Sequence, residues 1–249
     1  MKKLIALLLA LTMIFAFAAC SKAPAKEETK TLTMACSADF PPYEYVNDDG
    51  SYAGIDVEIA QAVCDKLGYK LEVKDMDFDG IIAAVESGAV SFAMSGLTIT
   101  DERKESVNFS DSYAKGVQVI LVKDGSPIAT VDDLDGAKIG VQAGTTGDFY
   151  CTDDSGQENV SQFTKYAMAV EALKNDQVDC VVLDNEPAKA FVAANEGLKI
   201  LDTAYADEDY AAAFNKKDTD LLAQFNKALG ELKADGTLDK IVDKYINAK

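Results

Sequence analysis

An α/β fold, its mainly parallel sheet covered by helices, is predicted for this chain by three observations. Between Leu32 and Gly96 the patterns alternate as strand, helix, strand, helix, strand, the order that joins parallel neighbours through crossover helices. The unit Ile82 to Gly96 can be laid without a gap on Val170 to Asp184, each an amphipathic helix turning over a polar link into a short apolar strand. The two strands end at Gly96 and Asp184, and α/β sheets collect ligands beyond the carboxyl ends of strands. Chance likeness between two helix-to-strand units is the alternative, since such units recur widely.

Taken in order, Leu32 to Ala35 reads as a strand, Ser37 to Tyr43 as a loop and Asn47 to Gly50 as a turn. Ile59, Val63 and Leu67 recur at helical spacing, so a helix is expected over Ile55 to Leu67, stopped by Gly68. Leu71 and Val73 alternate with polar residues in a strand. Phe78 to Ser87 reads as a helix ending at Gly88, and Val90 to Met94 as a strand. Ala137 to Val141 is a further strand, and the small-residue loop Gln142 to Asp148 opens a helix as a nest of backbone donors. It lacks the lysine of a phosphate loop. Next come a helix over Glu186 to Asn195, a strand Leu198 to Leu201, an acidic loop through Asp209 and a strand Tyr210 to Phe214. Leu221, Leu222, Phe225, Ala228, Leu229 and Leu232 share one helical face, a last helix spans Leu238 to Ile246, and both are expected to pack back on the first half.

The ends and the composition bound the function. Lys2 and Lys3 precede an uncharged apolar run from Leu4 to Ala19, too short for a comfortable bilayer crossing and ending in small residues before Cys20. Residues 1–19 therefore read as a secretory signal peptide, and residues 20–30 as a polar, flexible tether. The 249 residues carry a net charge of −18, which repels phosphate backbones and makes nucleic acid a poor partner. There is no histidine, so Ser-His and Cys-His nucleophiles and His-based metal sites are excluded. Cys36, Cys64, Cys151 and Cys180 show no CxxC spacing and have apolar flanks, as buried free thiols do; export permits disulfides.

The most informative stretch is Ser95-Gly96-Leu97-Thr98-Ile99-Thr100-Asp101-Glu102-Arg103. It reads as strand end, small-residue turn and helix start, where early N–H groups lack intrahelical partners and carry the positive end of the dipole. Thr98 adds a hydroxyl, and Arg103 a two-pronged donor that matches a carboxylate. The alternative is a surface helix capped by Thr100, with Arg103 merely paired to a neighbouring acid.

These residues together resemble the polar amino-acid-binding proteins of bacterial ABC importers, the periplasmic binding protein-like type II family. The marks are Phe40-Pro41-Pro42-Tyr43, Gly54-Ile55-Asp56, Asp77 to Ile82, Ser95 to Arg103, Phe109 to Tyr113, Gly140 to Thr146, Val178 to Asp184 and Lys233 to Thr237. The resemblance implies two Rossmann-like lobes joined by two hinge strands, one lobe discontinuous over 31–117 plus 210–249 and the other over 118–209. It implies no catalysis and no cofactor or metal. A monomer would close on a free L-amino acid and deliver it to an ABC transporter permease. The small residues before Cys20 resemble a lipoprotein processing signal, which would anchor the chain by lipid to the outer face of the cytoplasmic membrane.

Carried over residue by residue, Arg103 would take the α-carboxylate, helped by Thr98 and by N–H groups near Thr145 and Thr146. Asp184 would hold the α-ammonium, with carbonyls around Ser95 and Gly96 as further acceptors. Phe40 and Phe78 would sandwich the side chain, with Tyr43 close by, although all three aromatics also fit a core. Asp184 equally fits a helix N-cap, since it precedes Asn185-Glu186-Pro187.

In relatives that select cationic side chains an acid commonly stands where this chain has Ser37. Gln142 can hydrogen-bond a polar side chain, so a neutral polar amino acid is expected. Two other functions compete. A dehydratase-like exported enzyme of the same fold would use cleft carboxylates such as Asp39, Glu44 or Asp184, and a surface lipoprotein would sense or relay an amino acid.

Overall fold

The computed structural model describes residues 30–246. The expected signal peptide, Cys20 and all of the tether but Lys30 lie outside the described residues. The chain opens with β1 (Thr31–Cys36), folds a small antiparallel sheet from β2 (Asp39–Phe40), β3 (Glu44–Val46) and β4 (Tyr52–Ala53), and enters α1 (Ile55–Leu67). Gly68 ends that helix in the left-handed region, φ 74°, as its spacing predicts. Then follow β5 (Lys70–Asp75), a single 3-10 turn at Phe78–Gly80, α2 (Ile81–Ser87), β6 (Phe92–Ala93), α3 (Asp101–Ser106) and β7 (Val107–Phe109). The long β8 (Ala114–Lys123) leads to β9 (Ile139–Gln142), α4 (Thr146–Ser155), β10 (Val160–Phe163), α5 (Tyr166–Lys174), β11 (Cys180–Asp184) and α6 (Asn185–Ala194). The chain returns along β12 (Leu198–Tyr210) to β13 (Ala213–Asn215), α7 (Thr219–Ala234) and α8 (Thr237–Ile246).

Two five-stranded sheets result, ordered β5-β1-β6-β13-β7 and β10-β9-β11-β8-β12. In each, four strands run one way and one runs against them, β13 in the first sheet and β8 in the second. These are two α/β lobes with mixed sheets, joined by hinge strands. The crossing ladder is the start of β8 against the end of β12, with Gly116 opposite Glu208 and Ala114 opposite Tyr210. A Cβ at Gly116 would collide with the Tyr210 hydroxyl, so only glycine lets that ring lie across the hinge.

The C-terminal helices pack on α1: Phe225, Leu229, Leu232, Leu238 and Ile241 share a core with Ile59 and Val63. Lys66 of α1 lies 3.5 Å from both Glu231 and Asp235.

Two expectations change. The acidic segment before Asp209 is not a loop but the continuation of β12, because pairing with β8 supplies its backbone partners through two bulges. There Glu208 and Tyr210 turn inward while Asp207 faces out. The strand expected over Tyr210 to Phe214 is broken in two. Tyr210 ends β12, Ala211 N–H donates to the Leu97 carbonyl, and β13 begins at Ala213 in the other sheet. The four cysteines are free and buried, and burial pushes the Cys151 thiol up to about 12.

Candidate functional site

The ends of β1, β6, β9 and β11 face one another across the gap between lobes and line a narrow cavity. Ser95, Gly96, Thr98 and Arg103 line it from one side, and Gln142, Thr145, Thr146 and Asp184 from the other. The two aligned strand ends, at Gly96 and Asp184, thus reach the same cavity.

Thr100 caps α3, its hydroxyl accepting from the Arg103 N–H at 3.1 Å, and the Arg103 side chain from that first turn is buried. The acid pairing considered for Arg103 does not form. Asp101 pairs instead with Lys104 at 2.9 Å, while the buried guanidinium donates to the Thr98 carbonyl at 2.9 Å and the Gly144 carbonyl at 3.0 Å. The second bond crosses between the lobes. Phe78 lies beneath it, 5.5 Å from ring centre to guanidinium carbon, a cation-π arrangement. Burial lowers the pKa of Arg103, opposed by the nearby Glu208 and Asp184 charges.

Asp184 occupies the N-cap position of α6, yet its side chain makes no capping bond. It accepts instead from the Tyr210 hydroxyl on the returning hinge strand. Burial, then the Glu208 charge, push its pKa up to about 8. Glu208 itself accepts from the Thr98 hydroxyl at 3.0 Å and the Gln118 amide at 3.1 Å, tying the hinge to the Arg103 side of the cleft.

Behind Ser95 and Gly96 lies a second acid pair. Ser95 Oγ donates to Glu44 at 2.7 Å and accepts from the Ser37 N–H at 2.9 Å. Asp56 accepts from the Gly96 N–H at 2.9 Å and the Tyr113 hydroxyl at 2.7 Å. Burial pushes Asp56 up to about 6 and Glu44 well above its ordinary value, the Asp56 charge adding to the latter. Gly96 is held at φ 52°, and a Cβ there would come within 2.6 Å of the Phe40 ring.

Phe40 lines the cavity and stacks on Tyr166 from the other lobe, with centroids 5.8 Å apart at 28°. Phe78 lines it as well. Tyr43 does not; it packs one layer back, stacked on Phe40 at 5.8 Å and edge-on to Tyr210 at 5.2 Å. Thr145 caps α4, accepting from the Asp148 N–H at 3.2 Å and donating to the Gln142 carbonyl at 2.8 Å. The Gln142 amide donates to the Thr164 carbonyl at 2.9 Å and reaches Ser37 Oγ at 3.5 Å.

The model of the bacterial extracellular solute-binding proteins, family 3, matches residues 32–248. The chain belongs to that family. An arginine-binding extracellular protein, ArtP, of Bacillus subtilis is 34% identical over 100% of both chains. The L-cystine-binding protein TcyJ of Escherichia coli is 30% identical over 89% of this chain and 85% of its own. Among solved structures, an ancestral arginine-binding protein bound to glutamine superposes with a TM-score of 0.84 at 41% identity, covering 89% of this chain and 100% of that one. Holo ArgBP from T. maritima gives 0.79 at 41%, covering 84% and 95%.

As a family 3 protein the chain is an extracytoplasmic solute-binding protein and not an enzyme. Its cavity also involves residues that sequence reasoning did not assign to it. Tyr166 lines the wall, while Gln118, Glu208 and Tyr210 support it from the hinge strands; Ser37 and Glu44, the one noted for the acid it replaces and the other as a cleft carboxylate, line it as well. Alternating burial along β12 is the signal that marks Glu208 and Tyr210 as inward. It is legible only once that segment is known to be a strand.

Proposed function

We propose that this chain is the receptor of an ABC importer, closing its lobes on one free amino acid and presenting it to the permease. Its lobes are residues 31–117 plus 210–249 and residues 118–209. It works as a monomer held at the membrane by a lipid on Cys20. Arg103 and Thr98 receive the α-carboxylate with the N–H groups opening α4 at Thr145 and Thr146. Asp184 receives the α-ammonium, with Ser95 and Gly96 carbonyls beside it. Phe40 and Phe78 enclose the side chain and Gln142 bonds its polar end, which favours a neutral polar amino acid.

What carries this reading is the convergence of Arg103 from one lobe and Asp184 from the other on a single cavity. A zwitterion leaving water needs a cation at one pole and an anion at the other to offset desolvation. Micromolar binding requires a net of about 8 kcal/mol, within reach of two matched charge pairs plus aromatic burial. Binding across the cleft then shifts the population toward the closed form through contacts made only there.

A thermal-shift screen of the twenty L-amino acids tests the reading. Ligand at a hundred times its Kd stabilises by about 2.7 kcal/mol, raising Tm by roughly 5 to 10 °C for a protein this size. Arg103→Ala is expected to erase that rise while leaving a folded protein. A flat response to all twenty at millimolar concentration overturns the proposal.

A further inference from the structure

At the end of the cavity away from Arg103, a lysine reaches across from the other lobe. Lys165, the residue before α5, donates to Ser37 Oγ at 2.9 Å and lies 3.6 Å from Asp39 and 3.7 Å from Asp75. Ser37 lines the cavity, so the ammonium stands one hydrogen bond from it. The two acids are themselves organised: Asp39 accepts from the Ser37 hydroxyl at 3.0 Å and the Tyr166 N–H at 3.1 Å, and Asp75 from the Ala38 N–H at 2.9 Å. Lys165 is about a quarter exposed and Asp39 less than a fifth, while Asp75 is more than a third exposed, so the contact with Asp39 is the better shielded of the two.

We propose that Lys165 is a specificity-determining residue, a built-in cation that fills the place a cationic ligand side chain would take between Asp39 and Asp75. This rests on the amino-acid-binding reading given above. With Lys165 in place the distal wall presents a hydroxyl backed by positive charge. A neutral side chain such as that of glutamine can bond to it through Ser37 and Gln142. An arginine or lysine ligand meets a like charge whose counter-ions are already engaged, a repulsion that discriminates without any steric block. Without Lys165, two partly buried carboxylates lose their cation and become a receptor for one.

Calorimetric titration of wild type, Lys165→Gln and Lys165→Gln/Asp39→Asn with L-glutamine and with L-arginine tests this. Wild type is expected to prefer glutamine. Lys165→Gln should shift the arginine-to-glutamine affinity ratio toward arginine by about tenfold or more, and adding Asp39→Asn should reverse much of that gain. Lys165→Arg, which keeps the charge, should keep the wild-type preference and shows that position 165 tolerates exchange. An unchanged ratio in Lys165→Gln overturns the proposal, as does equal weakening of both ligands, the signature of a lobe-closing latch alone. Wild type preferring arginine overturns it too. If wild type binds none of the twenty amino acids, the receptor reading itself falls, whereas neutral ligands binding with an unmoved ratio removes only the role of Lys165.

Discussion

Two buried carboxyl pairs flank the cleft, and they differ in what completes them. Glu44 and Asp56 belong to one lobe, and so do their donors, Ser95, the Gly96 N–H and Tyr113, while Glu44 Oε2 and Asp56 Oδ1 stay buried without a donor. Asp184 and Glu208 instead draw their donors, Tyr210, Thr98 and Gln118, from the hinge strands and the opposite cleft wall. One member of each pair, Glu44 and Asp184, lines the cavity. The first pair holds the Ser95–Gly96 turn in shape from within one lobe, whereas the second ties the hinge strands to the opposite cleft wall. Similar chemistry is thus local to one lobe in one place and shared between lobes in the other, and under the proposed function only the shared pair receives the ligand.

Separating the pairs by mutation should give the largest effects. Asp56→Ala leaves the Gly96 N–H and the Tyr113 hydroxyl buried without an acceptor, a loss of about 3 kcal/mol or more, read as a Tm fall of roughly 6 to 12 °C. Asp184→Asn should do the reverse. With its pKa up to about 8, Asp184 is largely neutral at pH 7, and the amide keeps that shape and charge, so stability should stay within about 1 kcal/mol of wild type. Amino-acid affinity should fall about a hundredfold or more for want of the carboxylate. Equal destabilisation by both variants, or binding that survives Asp184→Asn, would erase the distinction.

Protonation sharpens the same contrast. Asp56 and Asp184 are raised to about 6 and about 8, above the value near 3.9 of an unfolded aspartate. The folded chain therefore holds protons that the unfolded chain has released. This contribution to stability is full below about pH 4 and is lost as pH rises, through about 6 for the first group and about 8 for the second. Ligand binding runs the other way through Asp184 alone, since the proton must leave before an ammonium can pair. Affinity should climb between pH 5.5 and 7.5 by at most about tenfold per unit, with proton release visible in titrations in two buffers of different ionisation enthalpy. A pH-independent affinity would place Asp184 with Glu44 and Asp56 as a structural acid.

Much of this was legible in the residues. The helix over Ile55 to Leu67 follows from apolar spacing and a glycine stop, and Arg103 stands out by its place in the first turn of a helix that follows a small-residue turn, although the Thr100 cap belongs equally to the surface-helix alternative. The hinge was harder. Glu208 lies in an acidic run that composition reads as loop, and only the long-range ladder with β8 turns it inward. Lys165 carries no local signal at all, since its partners Ser37, Asp39 and Asp75 come from the other end of the sequence and meet it only when the lobes close. Local pattern reports what one lobe builds for itself, and is silent on contacts that exist only between lobes.

The mildest test concerns Glu208, whose charge is the second cause, after burial, of the raised pKa of Asp184. Glu208→Gln keeps the size and can still accept from Thr98 and Gln118, but removes the charge. Asp184 should then release its proton at lower pH, moving the rise in affinity toward acid with no more than a few-fold change near pH 8. If the pH profile of binding stays where it is in wild type, Glu208 is only a hinge tie, and burial alone sets the proton affinity of Asp184.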